Sequence, residues 1–370
     1  IVFAAILAVR GLLINPQTDP EAVASPFVGL NFVWEPRFDQ LDDPAVWLAA
    51  AGQIFFTLSI GMGSIHCYAS YLRRDDDVAL TGATTAWTNE FCEVILGGTI
   101  LLPIAVAYLG LSQVQEMTAG GSGFGLGFMV FPTLFNKWGW FAPAAGFMWF
   151  GLLFFAAITS SLAMGQPVMA FLQQEYGLSR ERSALAFGGL VLLLAVPVAI
   201  LHSNTFFDEF DYWAGTLMLV VFALAETILF AWVFGMDRAW AELNHGAELI
   251  IPRVFFFIIK YVTPVLLLLI LAAYVFKPKA DWTPYLHQLV GGPTAPAWEW
   301  SGDGLIGKLM HNDLAERALD PKATPETRQF LEQLKFWRNI DRLVMVGAFV
   351  FFAVLVHFAW KKRAAEGRLT

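Results

Sequence analysis

What most constrains this chain is a series of apolar runs, each long enough to cross a bilayer as a helix. A hydrocarbon core about 30 Å thick takes about 20 apolar residues in α-helix. Residues 45–71, 83–110, 144–173, 184–202, 212–234 and 254–276 reach that length, and a seventh run lies at 340–360. Composition agrees. Hydrophobic residues make up 57% of the 370 and charged residues 15%, against roughly 45–50% and 25% in soluble domains. An all-α integral membrane protein is predicted; disorder, a collagen repeat and a disulfide scaffold are excluded. The net charge is −8 with no basic stripe, which argues against a nucleic-acid partner. Cys67 and Cys92 both sit in apolar runs and read as small buried side chains.

Residues 1–14 are apolar but too short to span, and they follow no Met and no basic segment. They are expected to be the end of a helix whose first part precedes the chain, so that the sequence is the C-terminal portion of a longer protein. Orientation follows from Lys and Arg in short loops. Arg73 and Arg74, Arg180 and Arg182, Arg238 and Arg253, and Lys361, Lys362, Arg363 and Arg368 flank alternate spans. Those loops and the tail 361–370 are therefore expected in the cytoplasm, in a multi-pass protein of the plasma (inner) membrane. Residues 15–44 and 111–143 become outer loops. The second carries Gly120, Gly121, Gly123, Gly125 and Gly127, a density that suggests a flexible or tightly turning vestibule loop, or else a plain connector. Residues 277–336 form a long outer insertion. In it Thr324-Pro325-Glu326 reads as an N-cap, a Pro at the first helical position and an acidic first turn, so a helix is expected to start there and run toward the last span.

Polar groups inside the spans are the functional candidates. The first span reads Gly52-Gln53-Ile54-Phe55-Phe56-Thr57-Leu58-Ser59-Ile60-Gly61-Met62-Gly63-Ser64. Gly61 and Gly63 can serve close helix packing, or they can mark two half-helices with an unwound middle, whose freed backbone groups ligate a cation and face a charged substrate. Gln53 and Thr57 share a helical face, as do Asn89 and Glu93 in the second span. A structural hydrogen-bonded pair is the competing reading of the latter. Thr159-Ser160-Ser161 in the third span can back-bond to the preceding turn or offer hydroxyls to an ion. Thr57, Asn89, Thr159 and Ser160 are neutral hard oxygens, which suit an alkali cation better than a small divalent one. His66 stands alone, and no zinc spacing, phosphate loop or nucleophile–base set is present, so an enzyme is not expected.

The Gly52–Gly63 stretch resembles the broken sixth helix of the neurotransmitter:sodium symporters. Ala69-Ser70-Tyr71, Asn89-Glu90 with Glu93-Val94-Ile95-Leu96-Gly97-Gly98, Leu153-Phe154-Phe155-Ala156 with Thr159-Ser160-Ser161, and Asp211-Tyr212-Trp213-Ala214-Gly215-Thr216 are similar to the same family, in the same order. The resemblance covers residues 1–276 and, more weakly, 337–360; the insertion 277–336 has no counterpart. It implies the LeuT-type inverted-repeat transporter fold, with this chain holding the end of helix five and helices six to twelve, that is, the second repeat plus two extra helices.

The resemblance further implies two sodium ions as coupled ions and an amino acid as substrate. Thr57 and Asn89 match ligands of the first sodium. Ala156, Thr159 and Ser160 match ligands of the second. Phe56, Thr57, Ser59, Met62, Ser160 and Met164 match the substrate pocket, whose apolar character suits a neutral, hydrophobic amino acid. Asp211 matches the acidic outer gate and Tyr71 part of the inner gate. Gln174 replaces the usual inner acidic residue, with Glu175 beside it as a substitute. Chloride-dependent members carry a small hydroxyl residue where Glu93 stands. A carboxylate there, with Gln53 as its hydrogen-bond donor, supplies the negative charge itself, implying chloride-independent transport with proton counter-transport. A non-transporting, receptor-like or subunit-like membrane protein of the same fold is the alternative.

Overall fold

The structure is a computed structural model that describes residues 1–118, 124–201, 204–321 and 323–367. Among them six helices are long and apolar enough to cross a membrane: Val78–Leu109, Gly139–Tyr176, Arg180–Ile200, Phe206–Leu243, Val254–Val275 and Pro325–Ala365. The chain divides into two compact units.

The first unit comprises residues 1–38, 76–163 and 246–249. Its core joins Leu7 of the Val2–Leu12 helix to Ile100, Ile104 and Val106 of Val78–Leu109, and to Phe131, Phe135 and Trp149. Gly29, in the helix Pro26–Trp34, lets that helix approach the Val78–Leu109 backbone: a Cβ there would stand 2.6 Å from the Leu102 carbonyl oxygen. The buried polar atoms are paired. Trp138 Nε1 donates to Tyr108 Oη at 3.0 Å, and Tyr108 donates to Asp19 at 2.9 Å.

The second unit comprises residues 39–75, 164–245 and 250–370. The apolar run 45–71 is two helices, Pro44–Thr57 and Ser64–Ala69. Asp43 caps the first, accepting from the Ala45 N–H at 2.8 Å, with Pro44 at the first helical position. Leu48 packs with Leu217, Val220, Leu267, Ile270 and Tyr274 of the helices Phe206–Leu243 and Val254–Val275.

Several loop expectations are corrected. Residues 15–44 contain the helix Pro26–Trp34, capped by Ser25 with Pro26 behind it. The stretch 111–143 is largely helical on both sides of its centre, at Leu111–Thr118 and Leu126–Asn136. Gly125 and Gly127 lie in or against helix rather than in a turning loop; Gly120, Gly121 and Gly123 fall outside the described residues, as does Arg368. Arg180 and Arg182 open the helix Arg180–Ile200, capped by Ser179, and are not in a free loop. Within 277–336 lie the helices Thr283–Leu289, Leu305–Leu309 and Asn312–Leu319. Thr324 caps the final helix, which runs unbroken through residues 337–360 and into the tail as far as Ala365.

Candidate functional site

The site is built from the break between Pro44–Thr57 and Ser64–Ala69. Helical bonding ends where Ile60 N donates to the Phe55 carbonyl at 2.8 Å. Ser59, Gly61 and Gly63 then take left-handed backbone angles, φ +56°, +80° and +76°. Glycine reaches that region at no steric cost, whereas a serine there is strained. Phe56, Thr57, Ser59 and Met62 fall at the last turn and in the break itself. Phe56 is exposed and the other three are half-buried.

The break is held by a residue the sequence reading passed over. Glu226, in the Phe206–Leu243 helix, accepts from the Gly61 N–H at 3.1 Å, and His66 Nδ1 stands 3.8 Å from the other carboxylate oxygen. Gly61 fits tightly against the same helix: a Cβ would sit 3.0 Å from the Leu219 carbonyl oxygen and 3.2 Å from Phe222 Cβ. An ionisable residue in an apolar run was the available signal. Its partner lies 165 residues earlier and is a backbone amide, which no sequence motif encodes.

Ala156, Thr159 and Ser160 are brought together on one turn of Gly139–Tyr176, all three exposed. Thr159 Oγ1 donates to the carbonyls of Phe155 at 2.7 Å and Ala156 at 3.2 Å. The back-bonding reading of this hydroxyl is the one observed. It back-bonds through its proton, and its oxygen lone pairs stay available to a cation. Met164 lies one turn further along the same helix. Asn89 and Glu93 belong to the first unit, Gln53 and Thr57 to the second. Glu93 lies in a wide π-helical stretch, Phe91–Gly97, so the plain α-helical spacing from Asn89 does not carry through. Such stretches often mark functional positions.

Asp211 is exposed and begins another π-helical stretch, Asp211–Leu217. Two residues earlier, Glu209 is only 6% exposed and belongs to an ionic cluster. Arg338 Nε and Arg342 Nε of the final helix approach its carboxylate at 2.8 and 2.9 Å, and Arg338 also pairs with Asp313 at 2.8 Å. Thr205 donates to the fully buried Asp341 at 2.7 Å. The N-terminal end of the Phe206–Leu243 helix is thus fastened directly to the final helix, and Asp313 of the 277–336 segment joins the same cluster. At the other end, Tyr71 is 74% exposed. Glu175 is paired with Arg363, whose Nε donates to it at 2.8 Å, while Lys362 donates to its backbone carbonyl at 3.1 Å. Glu175, the neighbour of Gln174, is thereby tied to the final helix.

The comparisons with known proteins agree with this arrangement. An uncharacterised sodium-dependent transporter of Methanocaldococcus jannaschii is 27% identical over 258 residues, covering 69% of this chain and 51% of the relative. The sodium-dependent nutrient amino acid transporter 1 of Drosophila grimshawi is 23% identical over 321 residues, covering 81% of this chain and 50% of the relative. The chain spans about half the length of the curated relatives it matches. The crystal structure of MhsT in complex with L-phenylalanine superposes with a TM-score of 0.62 at 25% identity, over 74% of this chain and 59% of that one. Residues 2–297 match the model of the Sodium:neurotransmitter symporter family. The glycine-broken helix, the membrane-spanning helices around it and that match over most of the chain make this protein a member of the sodium:neurotransmitter symporter family, with its LeuT-type fold.

Proposed function

We propose that this chain carries the second half of a sodium-coupled symporter for a neutral, hydrophobic amino acid in the plasma (inner) membrane, with its C-terminus in the cytoplasm. The observation that carries the reading is the interrupted helix. Phe56, Thr57, Ser59 and Met62 gather at a break whose geometry is built for ligation rather than for close packing alone, since Glu226 spends a carboxylate on holding it. Phe56, Met62 and Met164 offer apolar surface, and none of the six pocket positions is charged. Met adapts to several side-chain shapes. The names of the relatives point the same way: one is a nutrient amino acid transporter and the solved structure holds L-phenylalanine.

Two sodium ions are assigned to two ligand sets, Thr57 with Asn89 and Ala156 with Thr159 and Ser160. Glu93 supplies the negative charge beside the first. An added anion next to an ionised carboxylate in a low-dielectric site is strongly repelled, so transport is chloride-independent. Sodium holds Glu93 ionised, and burial favours its protonation once sodium leaves, which gives proton counter-transport on the return step. Gln53 is the donor to that carboxylate. The outer gate uses Asp211, and Tyr71 contributes to the inner one. The test is uptake of radiolabelled phenylalanine, leucine, lysine and glutamate by the complete protein in proteoliposomes, with and without sodium. Sodium-dependent uptake of the first two supports the proposal. Uptake that persists without sodium overturns it, and binding without uptake establishes the receptor-like alternative.

A further inference from the structure

The second unit contains a cavity of about 510 Å³ remote from the break, walled by Trp47 of Pro44–Thr57, Leu266, Leu269 and Phe276 at the end of Val254–Val275, and Trp282 and Leu286 of the insertion. Its walls are almost wholly alkyl and aromatic. The polar tips of both tryptophans are already used, Trp47 Nε1 donating to the Leu41 carbonyl at 2.7 Å and Trp282 Nε1 to the Ala273 carbonyl at 3.0 Å. Each indole therefore turns carbon, not a free donor, toward whatever fills the cavity.

The level of the cavity in the membrane follows from its neighbours. Lys277, only 4% exposed, pairs with Asp43 at 2.8 Å and lies 3.8 Å from Asp281. These charges mark the aqueous edge. Leu269 and Leu266 precede Lys277 by 8 and 11 residues, which at the α-helical rise puts them about 12 and 16 Å deeper, roughly the thickness of one hydrocarbon leaflet. Trp282, Tyr285, Trp298 and Trp300 pack edge to face or tilted on one another above this wall, with ring centroids 4.8 to 5.8 Å apart. Such a cluster belongs at the headgroup level.

Charge selects the headgroup. Asp42 lines the mouth and has no hydrogen-bond or ion partner among the described residues. Asp43 and Asp281 lie 2.8 and 3.8 Å from the single Lys277 ammonium, so their two charges outnumber it, and Asp42, next to Asp43 in the chain, adds an unpaired third. An anionic headgroup is repelled there, and an amine is attracted.

We propose that this cavity is a lipid site: it takes an acyl chain of an amine-headed phospholipid, with the amine on Asp42, and the aromatic insertion forms its outer wall. The test uses the complete protein in nanodiscs of equal phosphatidylethanolamine and phosphatidylglycerol, each supplied in turn as a probe with a photoactivatable group on its acyl chain, with adducts mapped by mass spectrometry. The expected result is phosphatidylethanolamine adducts on residues 41–47 and 266–286 at about fivefold or more the density on the lipid-exposed Leu343–Phe358 stretch of the final helix. Ala273→Phe, which fills the cavity, should lower the cavity adducts and spare that stretch. Leu266→Phe, at an exposed wall position, serves the same purpose if Ala273→Phe does not fold. Asp42→Asn should equalise the two headgroups. Adducts no denser than on Leu343–Phe358, adducts indifferent to both filling variants, or equal labelling by the two probes in the unmutated protein overturns the proposal. The first outcome is also what a protein segment occupying the cavity would give.

Discussion

Replacing Gly61 by Ala tests whether the break is a built feature, because two independent terms oppose that methyl. The backbone at φ +80° is left-handed, which costs an L-residue about 1–2 kcal/mol. The new Cβ would stand 3.0 Å from the Leu219 carbonyl oxygen and 3.4 Å from the Ala223 nitrogen. Those are backbone atoms of a packed helix that cannot rotate away, and overpacking of this kind costs about 1–3 kcal/mol. Restricting the unfolded chain returns about 0.4–1 kcal/mol. The net expectation is a loss of about 2–4 kcal/mol. Gly82→Ala is the matched control. It lies within the helix Val78–Glu90, where an added Cβ meets nothing within 4 Å, so it should gain about 0.5–1 kcal/mol from helix propensity. Reversible unfolding of the purified protein by dodecyl sulfate in mixed micelles, followed by circular dichroism, reads both. If Gly61→Ala falls within about 0.5 kcal/mol of Gly82→Ala, the close approach of the break to Phe206–Leu243 is wrong.

Three further outcomes are expected. Thr159→Ala combined with Ser160→Ala removes two of the three proposed ligands of the second sodium and should abolish sodium-dependent uptake; unchanged sodium activation would clear those hydroxyls of the role. Glu93→Ser should make uptake depend on chloride, measured against gluconate, and a variant active in gluconate refutes the charge substitution. His311 should destabilise the insertion in mild acid. Burial, then the Arg342 guanidinium, holds its imidazole below the usual value, so the unfolded chain takes up the proton first. Its contribution is present above pH about 6.5, declines as the pH falls toward the folded-state value, and levels off below it. His311→Asn should flatten the dependence of thermal stability between pH 7.5 and 5.5, since Asn tolerates the left-handed φ of +60° found there. A slope that survives the substitution assigns the effect to other groups.

The parts of the fold legible in the sequence were those carried by local chemistry. Gly61 and Gly63 in an apolar run announced the interruption, and Thr324-Pro325-Glu326 announced the start of the final helix, because a cap is a few consecutive residues. Ser59 in a left-handed conformation could not be foreseen, since its strain is imposed by the turn around it rather than favoured by its side chain. The glycines near residue 125 misdirected the reading of 111–143: glycine signals a turn in isolation, but Gly127 sits where Trp149 packs, with the indole Nε1 donating to its carbonyl at 2.9 Å. Glu209, Arg338 and Arg342 were invisible as a site, because carboxylate and guanidinium lie about 130 residues apart and only the packing of the Phe206–Leu243 helix on the final helix brings them together.

These long-range contacts rank the parts of the second unit by how readily they move. Near its N-terminal end the Phe206–Leu243 helix is fixed by Glu209 between two guanidiniums. Both sides of each pair are at most 15% exposed, and removing one partner of a buried pair costs about 3–5 kcal/mol. Further along, the break is joined to the same helix by the Gly61–Glu226 bond, a contact of about 1.5–3 kcal/mol on a carboxylate that keeps 29% of its side-chain surface exposed, and by the packing of Gly61 and Ile60 on it. The first half-helix is anchored in addition by Leu48 in the apolar core. The second half, Ser64–Ala69, has only Ser64 buried. The weakest link is therefore the one between Glu226 and the break, and the piece it releases is the short second half. Asp211, two residues from Glu209, shares that fixed end of the helix, whereas Ser64–Ala69 is the piece least held by burial.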